Sequence, residues 1–329
     1  MTSNTLGKDL AAATYQRHSL HGEGVVWQEK NCYVDLWIEL LHAHGLAPEA
    51  MLPAVIGTDC EGDQWTFFKP SHDELYALYG VAVNELTVWR PLLDHALEQR
   101  SRGRFVLTEA DAFWLPDTRA TTYRRQHAKT TITLVDIDVA GQRLGYFHNA
   151  GYYTLSERDF VETFRLDAPA DPDFMPFFAE TACFGRAAAL PPDALRQASR
   201  ALWRKHLERT PPPNPVLRFA QRFADDLPAL QRLGMDHYNA WAFATLRQMG
   251  ASFEMAAQSL HWLGGDKGAE CPEAAQAFMQ IAHDSQALIF KGARAIALGR
   301  PLDPLAQLAG SATAWETAMQ ALREQFATR

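Results

Sequence analysis

Asn31-Cys-Tyr-Val-Asp-Leu-Trp-Ile-Glu-Leu-Leu-His-Ala-His-Gly45 is the stretch on which the fold turns. Val34, Trp37, Ile38 and Leu41 fall at i, i+3, i+4 and i+7, the spacing that lines one face of an α-helix. Asn31 suits the N-cap, because its side chain can accept from a free amide of the first turn. Gly45 suits the position after the helix, where a left-handed backbone is wanted. Cys32 then falls in the first turn, where free N–H groups and the helix dipole favour negative charge. The thiolate is the nucleophilic form of cysteine, so this is the placement a nucleophilic cysteine needs. A buried structural cysteine is the plainer alternative.

Composition narrows the function classes. The chain has 329 residues, 47% hydrophobic and 21% charged, enough for a core and too apolar for whole-chain disorder. Its length suggests two domains. Thirty-nine acidic residues against 31 basic ones leave a net charge of -8, the opposite of the basic surplus of a duplex-binding protein, so no nucleic-acid partner is expected. Cys32, Cys60, Cys183 and Cys271 form no CxxC pair, so neither a structural zinc site nor a disulfide framework is expected. No basic-then-apolar leader opens the sequence and no run reaches 18 apolar residues, which argues for a cytoplasmic protein without a membrane span.

Outward from the helix the pattern changes character. His72–Tyr79 reads as a short helix ending at Gly80, Val81–Val88 as a strand, and Pro91–Arg100 as a helix. Arg104–Asp111, Thr130–Asp138 and Arg143–Asn149 read as strands, the last two as a hairpin around Val139–Gln142. Tyr152–Leu155 extends the sheet, and Ser156–Phe164 begins like a capped helix. Asp167-Ala-Pro-Ala-Asp-Pro-Asp173 reads as a linker, and Thr210–Pro215 stops a helix. Beyond about residue 165 strand patterns nearly vanish. Helices are expected over Asp193–Arg209, Val216–Leu233, Asp236–Gln248, Ser252–Leu263, Pro272–Leu298 and Ala312–Ala327. The expected division is an α+β domain over 1–165 and an all-α domain over 166–329.

A nucleophilic cysteine needs a base and a group that orients the base. His127, just ahead of a strand, is the leading base, and Asn149 at the end of the next strand is the leading orienter. Their plainer roles are a loop histidine paired with an acid and a turn former. Hairpin register sets Asn149 opposite Thr130 rather than His127 unless a bulge intervenes. His148 is the alternative base, although it leaves the opposite face of the strand from Asn149. Gln28 and Gln64 are rival donors to an oxyanion, beside the Cys32 amide. Asp111 could orient a base or a substrate amine. Lys129, with Arg124 and Arg125, could meet a phosphate or an acidic surface, or simply be solvated. Asp59-Cys-Glu-Gly-Asp63 lacks the calcium-loop spacing and reads as an acidic turn. His42 and His44 lie on different helix faces. No HExxH set forms in the helical half, and no metal site is expected.

Taken in order, Cys32, His127 and Asn149 on helix, strand and strand resemble the papain-like layout. Asn31-Cys32, Arg104-Phe-Val-Leu-Thr-Glu-Ala-Asp111-Ala-Phe-Trp-Leu-Pro116 and the hairpin to Asn149 resemble the N-terminal domain of the butirosin-type acyltransferases, which take an aminoacyl group from an acyl carrier protein. Asn31–Glu39, Glu61–Lys69, Lys129–Ile132 and Tyr146–Tyr153 resemble still more an uncharacterised bacterial family of similar length. The likeness covers about residues 25–165. Thr130 stands where those acyltransferases carry histidine, with His127 three residues earlier. The resemblance implies a papain-like α+β domain followed by a helical one. It implies acyl transfer through a Cys32 thioester to a small-molecule amine, with donor phosphopantetheine carried on a partner acyl carrier protein. A non-enzymatic binding or scaffold protein that keeps the fold, and a cysteine peptidase or amidase, are the alternatives.

Overall fold

The computed structural model describes Leu6, residues 10–168 and residues 175–326. The regular elements are α1 (Cys32–Ala43), β1 (Cys60–Glu61), β2 (Gln64–Trp65), α2 (His72–Tyr79), β3 (Ala82–Glu85), α3 (Leu92–Ser101), β4 (Phe105–Asp111), β5 (Lys129–Asp138), β6 (Arg143–His148), β7 (Gly151–Ser156), α4 (Arg158–Thr163) and β8 (Ala179–Cys183). Helices follow: α5 (Pro192–Leu207), α6 (Pro215–Leu233), α7 (Met235–Ala242), α8 (Gln248–Gly264), α9 (Pro272–Leu298) and α10 (Pro304–Phe326). The chain is therefore α+β, with its sheet in the first part and helices in the second. The expected linker Asp167–Asp173 lies largely outside the described residues.

The chain folds into two compact units, and their sequences interleave. The first comprises Met1–His21, Cys32–Pro48 and Ser71–Leu190; the second comprises Gly22–Asn31, Glu49–Pro70 and Pro191–Arg329.

In the first unit six strands form an antiparallel sheet in the order β3-β8-β4-β5-β6-β7. Side chains alternate between its faces. Val106, Ala110, Ile132, Leu134, Leu144, Tyr146 and Leu155 point to one face and form a core with Leu93 and Ala96 of α3 and with Phe160 of α4. The other face carries α1, which packs across β5, β6 and β7. Val34, Leu36, Trp37, Ile38, Leu40 and Leu41 are wholly buried there. α1 ends as its sequence suggests: Gly45 takes φ +70° and its N–H bonds to the His42 carbonyl. α2 ends at Gly80 in the left-handed conformation, φ 67°.

Several features bear on the sequence expectation. β8 lies beyond residue 165 and inserts between β3 and β4. The β5–β6 pairing carries a bulge between Leu134 and Asp136. Ser156 does not cap α4; the residue before that helix is Glu157, at φ 54° with no capping side chain.

In the second unit α8 and α9 pack along each other, as do α9 with α10 and α6 with α10. A π-helical turn, Phe243–Arg247, joins α7 to α8. Gly22–Asn31 lies on these helices as a strap. Glu254 of α8, 1% exposed, accepts from the Val26 and Trp27 amides at 2.6 and 2.9 Å. Trp27 packs against Ala251 and Ala282. The β1–β2 hairpin turns at Gly62, φ +68°, and Asp59 beside it is ion-paired with Arg218 of α6.

Candidate functional site

Cys32 opens α1 and is partly exposed. Its sulfur lies 3.8 Å from the Thr131 hydroxyl on β5. The registers Glu109↔Thr131, Asp111↔Lys129 and Leu107↔Glu180 place Thr131, Glu109, Lys129, Asp111 and Glu180 on the sheet face that carries α1. At the end of the sheet where α1 begins, this face is polar.

Several pairs stand along it. Lys129 Nζ bonds to Glu109 Oε1 at 2.8 Å. His127 Nδ1 donates to Asp111 Oδ2 at 2.5 Å, while Asp111 Oδ1 accepts from the Phe113 and Ala128 amides. The His127 ring stacks on Phe113, centroids 4.3 Å apart, and stays 70% exposed. Its Nε2 has no hydrogen-bond partner among the described residues. Further across the sheet, Tyr33 of α1 donates to Glu180 Oε1 at 2.5 Å. His72 Nε2 lies 3.1 Å from the Tyr33 oxygen and 3.6 Å from Glu180 Oε2.

The structure thus brings Cys32 to Thr131, and brings His127 to Asp111. Among the described residues no histidine nitrogen lies within hydrogen-bonding distance of the Cys32 sulfur. Asn149 is the first residue of the two-residue β6–β7 turn, at φ 44°, a backbone that asparagine tolerates well. The β5–β6 pairing reaches Thr133↔Phe147 on this side and does not extend to Asn149. His148 faces the α3 side instead. Its Nδ1 bonds to Asp117 Oδ2 at 2.5 Å and its Nε2 to the Thr130 hydroxyl at 2.7 Å, while Tyr146 donates to the other Asp117 oxygen. Burial and the neighbouring Asp117 hold the Tyr146 phenol well above its usual range, so it stays a donor. Gln28 and Gln64 are both exposed and belong to the second unit. Arg124 is paired with Asp159 and lies 4.3 Å over the Trp114 ring. Arg125 is exposed and bonds to the Ala120 carbonyl.

Sequence reasoning missed Thr131, Tyr33, Glu180 and His72. Tyr33 and Thr131 adjoin residues already singled out, and α1 periodicity alone brings Tyr33 close to the helix face that includes Trp37. Glu180 carries no local signal. The remaining cysteines fit ordinary packing: burial pushes the Cys60 and Cys271 thiols up, away from the ionised form. Among the described residues no group of three or more His, Cys, Asp and Glu side chains could hold a metal ion. No helix among them is long and apolar enough to cross a membrane.

No curated protein matches the chain. A family model described as the DUF1839 N-terminal domain matches residues 16–184, and one described as the DUF1839 C-terminal domain matches residues 192–324. The sheet with its Cys32 helix and the helices that follow are thus both accounted for by one uncharacterised family, and the chain belongs to the DUF1839 family.

Proposed function

We propose that the protein is a cysteine-dependent acyltransferase of papain-like arrangement, moving an acyl or aminoacyl group from a carrier-protein thioester to an amine. The observation that carries this reading is the placement of Cys32: first residue of a buried helix, partly exposed, its sulfur over the polar end of the sheet. The resemblance to butirosin-type acyltransferases supplies the donor, a thioester on a partner's phosphopantetheine arm. In the first half-reaction the Cys32 sulfur attacks the acyl carbon, a C–S bond forms, and the C–S bond to the arm breaks. The released arm leaves as a thiolate. His127, oriented by Asp111 and outside hydrogen-bonding distance of the sulfur in this structure, is the proposed acceptor of the Cys32 proton and returns it to that thiolate. In the second half an amine attacks, a C–N bond forms, the bond to Cys32 breaks and the proton the amine loses ends on the departing Cys32 sulfur. The Cys32 amide is proposed to hold the oxyanion, and Asn149 to support the base.

A second reading, a non-enzymatic binding or scaffold protein that keeps this fold, draws on one observation. The partner of the sulfur is a hydroxyl, Thr131, rather than an imidazole.

Intact-mass spectrometry separates the two. The protein is incubated with a panel of acyl- and aminoacyl-pantetheine thioesters, alone and on a carrier protein. The expected result is a single acyl adduct, absent in Cys32→Ala, that an added amine removes as an amide. Absence of any adduct across the panel favours the binding reading. Release as free acid even with amine present moves the assignment to an amidase or peptidase.

A further inference from the structure

The Thr131 hydroxyl is the side-chain group that meets the Cys32 sulfur, 3.8 Å away, and both residues lie in the first unit. In the resting arrangement the thiol donates to the Thr131 oxygen. A hydroxyl has one proton and two lone pairs, so accepting from the thiol leaves the Thr131 proton uncommitted. Among the described residues nothing accepts that proton. Glu109 stands directly across the strand pair from Thr131, and its carboxylate is taken up by Lys129 Nζ at 2.8 Å and by the Phe178 amide at 3.4 Å. Lys129 offsets a charge that would otherwise repel an oxyanion beside Thr131. Thr131 is held within the β4–β5 pairing, between Thr130↔Ala110 and Ile132↔Thr108, where a β-branched side chain has few χ1 choices. Cys32 begins α1, so its own N–H has no acceptor inside the helix.

We infer that Thr131 is the side-chain donor that holds the oxyanion at Cys32, working with the Cys32 amide. This rests on the acyl-transfer reading and adds a side-chain donor to it. An oxyanion is two bonds from the sulfur, through the carbon that the sulfur has attacked. An effective donor lies about 2.7–3.1 Å from the place where that oxygen develops its charge. A hydroxyl 3.8 Å from the sulfur has such a place within its reach. The thiol gives up its bond to Thr131 when it loses its proton, so the hydroxyl is then free to turn its own proton to the substrate. In the step itself the sulfur attacks the acyl carbon, the C–S bond forms and the carbonyl π pair moves onto oxygen. Thr131 donates a hydrogen bond to that oxygen and keeps its proton. The pair returns to carbon as the C–S bond to the donor arm breaks. When the amine attacks acylated Cys32 the same oxygen is charged again, so Thr131 serves both half-reactions. A hydroxyl beside the sulfur, rather than an imidazole, is what this role requires.

Three reactions of Cys32 in the full-length chain, each followed by intact mass, test this. Iodoacetamide is attacked at a saturated carbon, and its alkylation of the thiol forms no oxyanion. Loading from S-acetyl-pantetheine forms one, and so does release of the acetyl group to glycinamide. Thr131→Val keeps the branched shape and removes the hydroxyl. It is expected to be alkylated close to the wild-type rate, but to load and to release acetyl about 100-fold more slowly at saturating reagent. Thr131→Ala is expected to show the same pattern, and urea titration checks that both variants keep a cooperative transition. Thr131→Ser, which keeps the hydroxyl and loses the methyl, is expected to restore both acyl steps; a residue needed only for packing on β5 would not show this. Alkylation slowed as much as acylation places Thr131 at the thiol instead of the oxyanion and overturns the inference. Loading and release by Thr131→Val at wild-type rates overturn it as well, and leave the acyl-transfer reading standing. Wild-type protein that is alkylated but never loads removes the acyl-transfer reading and this inference with it.

Discussion

Glu39 sits on the same helix as Cys32, two turns on, and is wholly buried. Its carboxylate bonds to His21 Nδ1, to the Tyr15 hydroxyl at 2.5 Å and to the His18 amide at 3.1 Å, and His21 reaches Asp35 with its other nitrogen at 3.0 Å. Burial alone would push the Glu39 carboxyl up. The His21 hydrogen bond and charge, the Tyr15 hydroxyl and the His18 amide outweigh it, so the carboxyl is held below its usual value. A group whose folded value is lowered stabilises the fold above its unfolded value and loses that contribution as pH falls through the folded one. Glu39→Gln is therefore expected to cost about 3–5 kcal/mol near neutral pH, because it leaves a buried imidazole short of a charge partner. The difference from wild type should shrink as pH falls below the carboxylate range; urea titrations at several pH values check this, and a penalty that grows toward acid would contradict it. At this scale Cys32 and Asn149 were legible in the sequence, since a helix start and a turn residue are local properties. The partner of Cys32 was not. The register of β5 on β4, which turns Thr131 and Thr130 to opposite faces, decides which of them meets the sulfur, and no local pattern encodes it.

Among the elements, α2, α3, α5, α6 and α9 came out within a few residues of their expected limits, whereas α10 starts at Pro304 rather than Ala312 and the expected Asp236–Gln248 helix ends at Ala242. α2 and α9 match the expected limits because Gly80 and Gly299 end them in left-handed conformations. β8 was invisible. Ala179-Glu-Thr-Ala-Cys183 is poor in β-branched and aromatic residues, and its Glu180 reads as solvent-facing until the sheet buries it against Tyr33. Only its neighbours β3 and β4 make it a strand. The same packing fixes Gly80: a Cβ there would come within 2.0 Å of the Ala187 carbonyl oxygen, in a backbone conformation that costs other residues roughly 1–2 kcal/mol. Arg186 and Leu190 bond back to the Gly80 and Leu78 carbonyls, so the segment after β8 has little room to yield. Gly80→Ala is expected to lower stability by at least about 2 kcal/mol. In a urea titration the midpoint should fall while the slope stays unchanged. A shift under half that size would mean that the 184–190 segment moves aside freely.

At the scale of the whole molecule, the sequence divides into a first and a second part, whereas each compact unit draws on three separate segments. Composition reveals where strands give way to helices, but not which early segment completes a later core. Gly22–Asn31 shows no helix or strand period because its apolar residues, Val25, Val26 and Trp27, are consecutive and few. Their environment comes from helices more than 200 residues away. Glu254 needs the two strap amides, Gln286 donates to the Val26 carbonyl at 3.0 Å, and Gly250 lacks the Cβ that would meet Trp27 Nε1 at 2.7 Å. Splitting the chain between residues 165 and 166 therefore has a definite expected outcome. The piece 166–329 would keep its helices but leave the Glu254 carboxylate buried without its two donors, at about 1–3 kcal/mol or more for a charged group, and a cavity where Trp27 stood. The piece 1–165 would lose β8, leaving β3 unpaired and β4 with an open edge, a template for aggregation. Expressed separately, the helical piece should show helical circular dichroism without a cooperative transition, and the other piece should aggregate. Co-expression should recover both in one complex, with slow hydrogen exchange returning at the Val26 and Trp27 amides. A cooperative transition in the helical piece alone would show that the strap is dispensable to it.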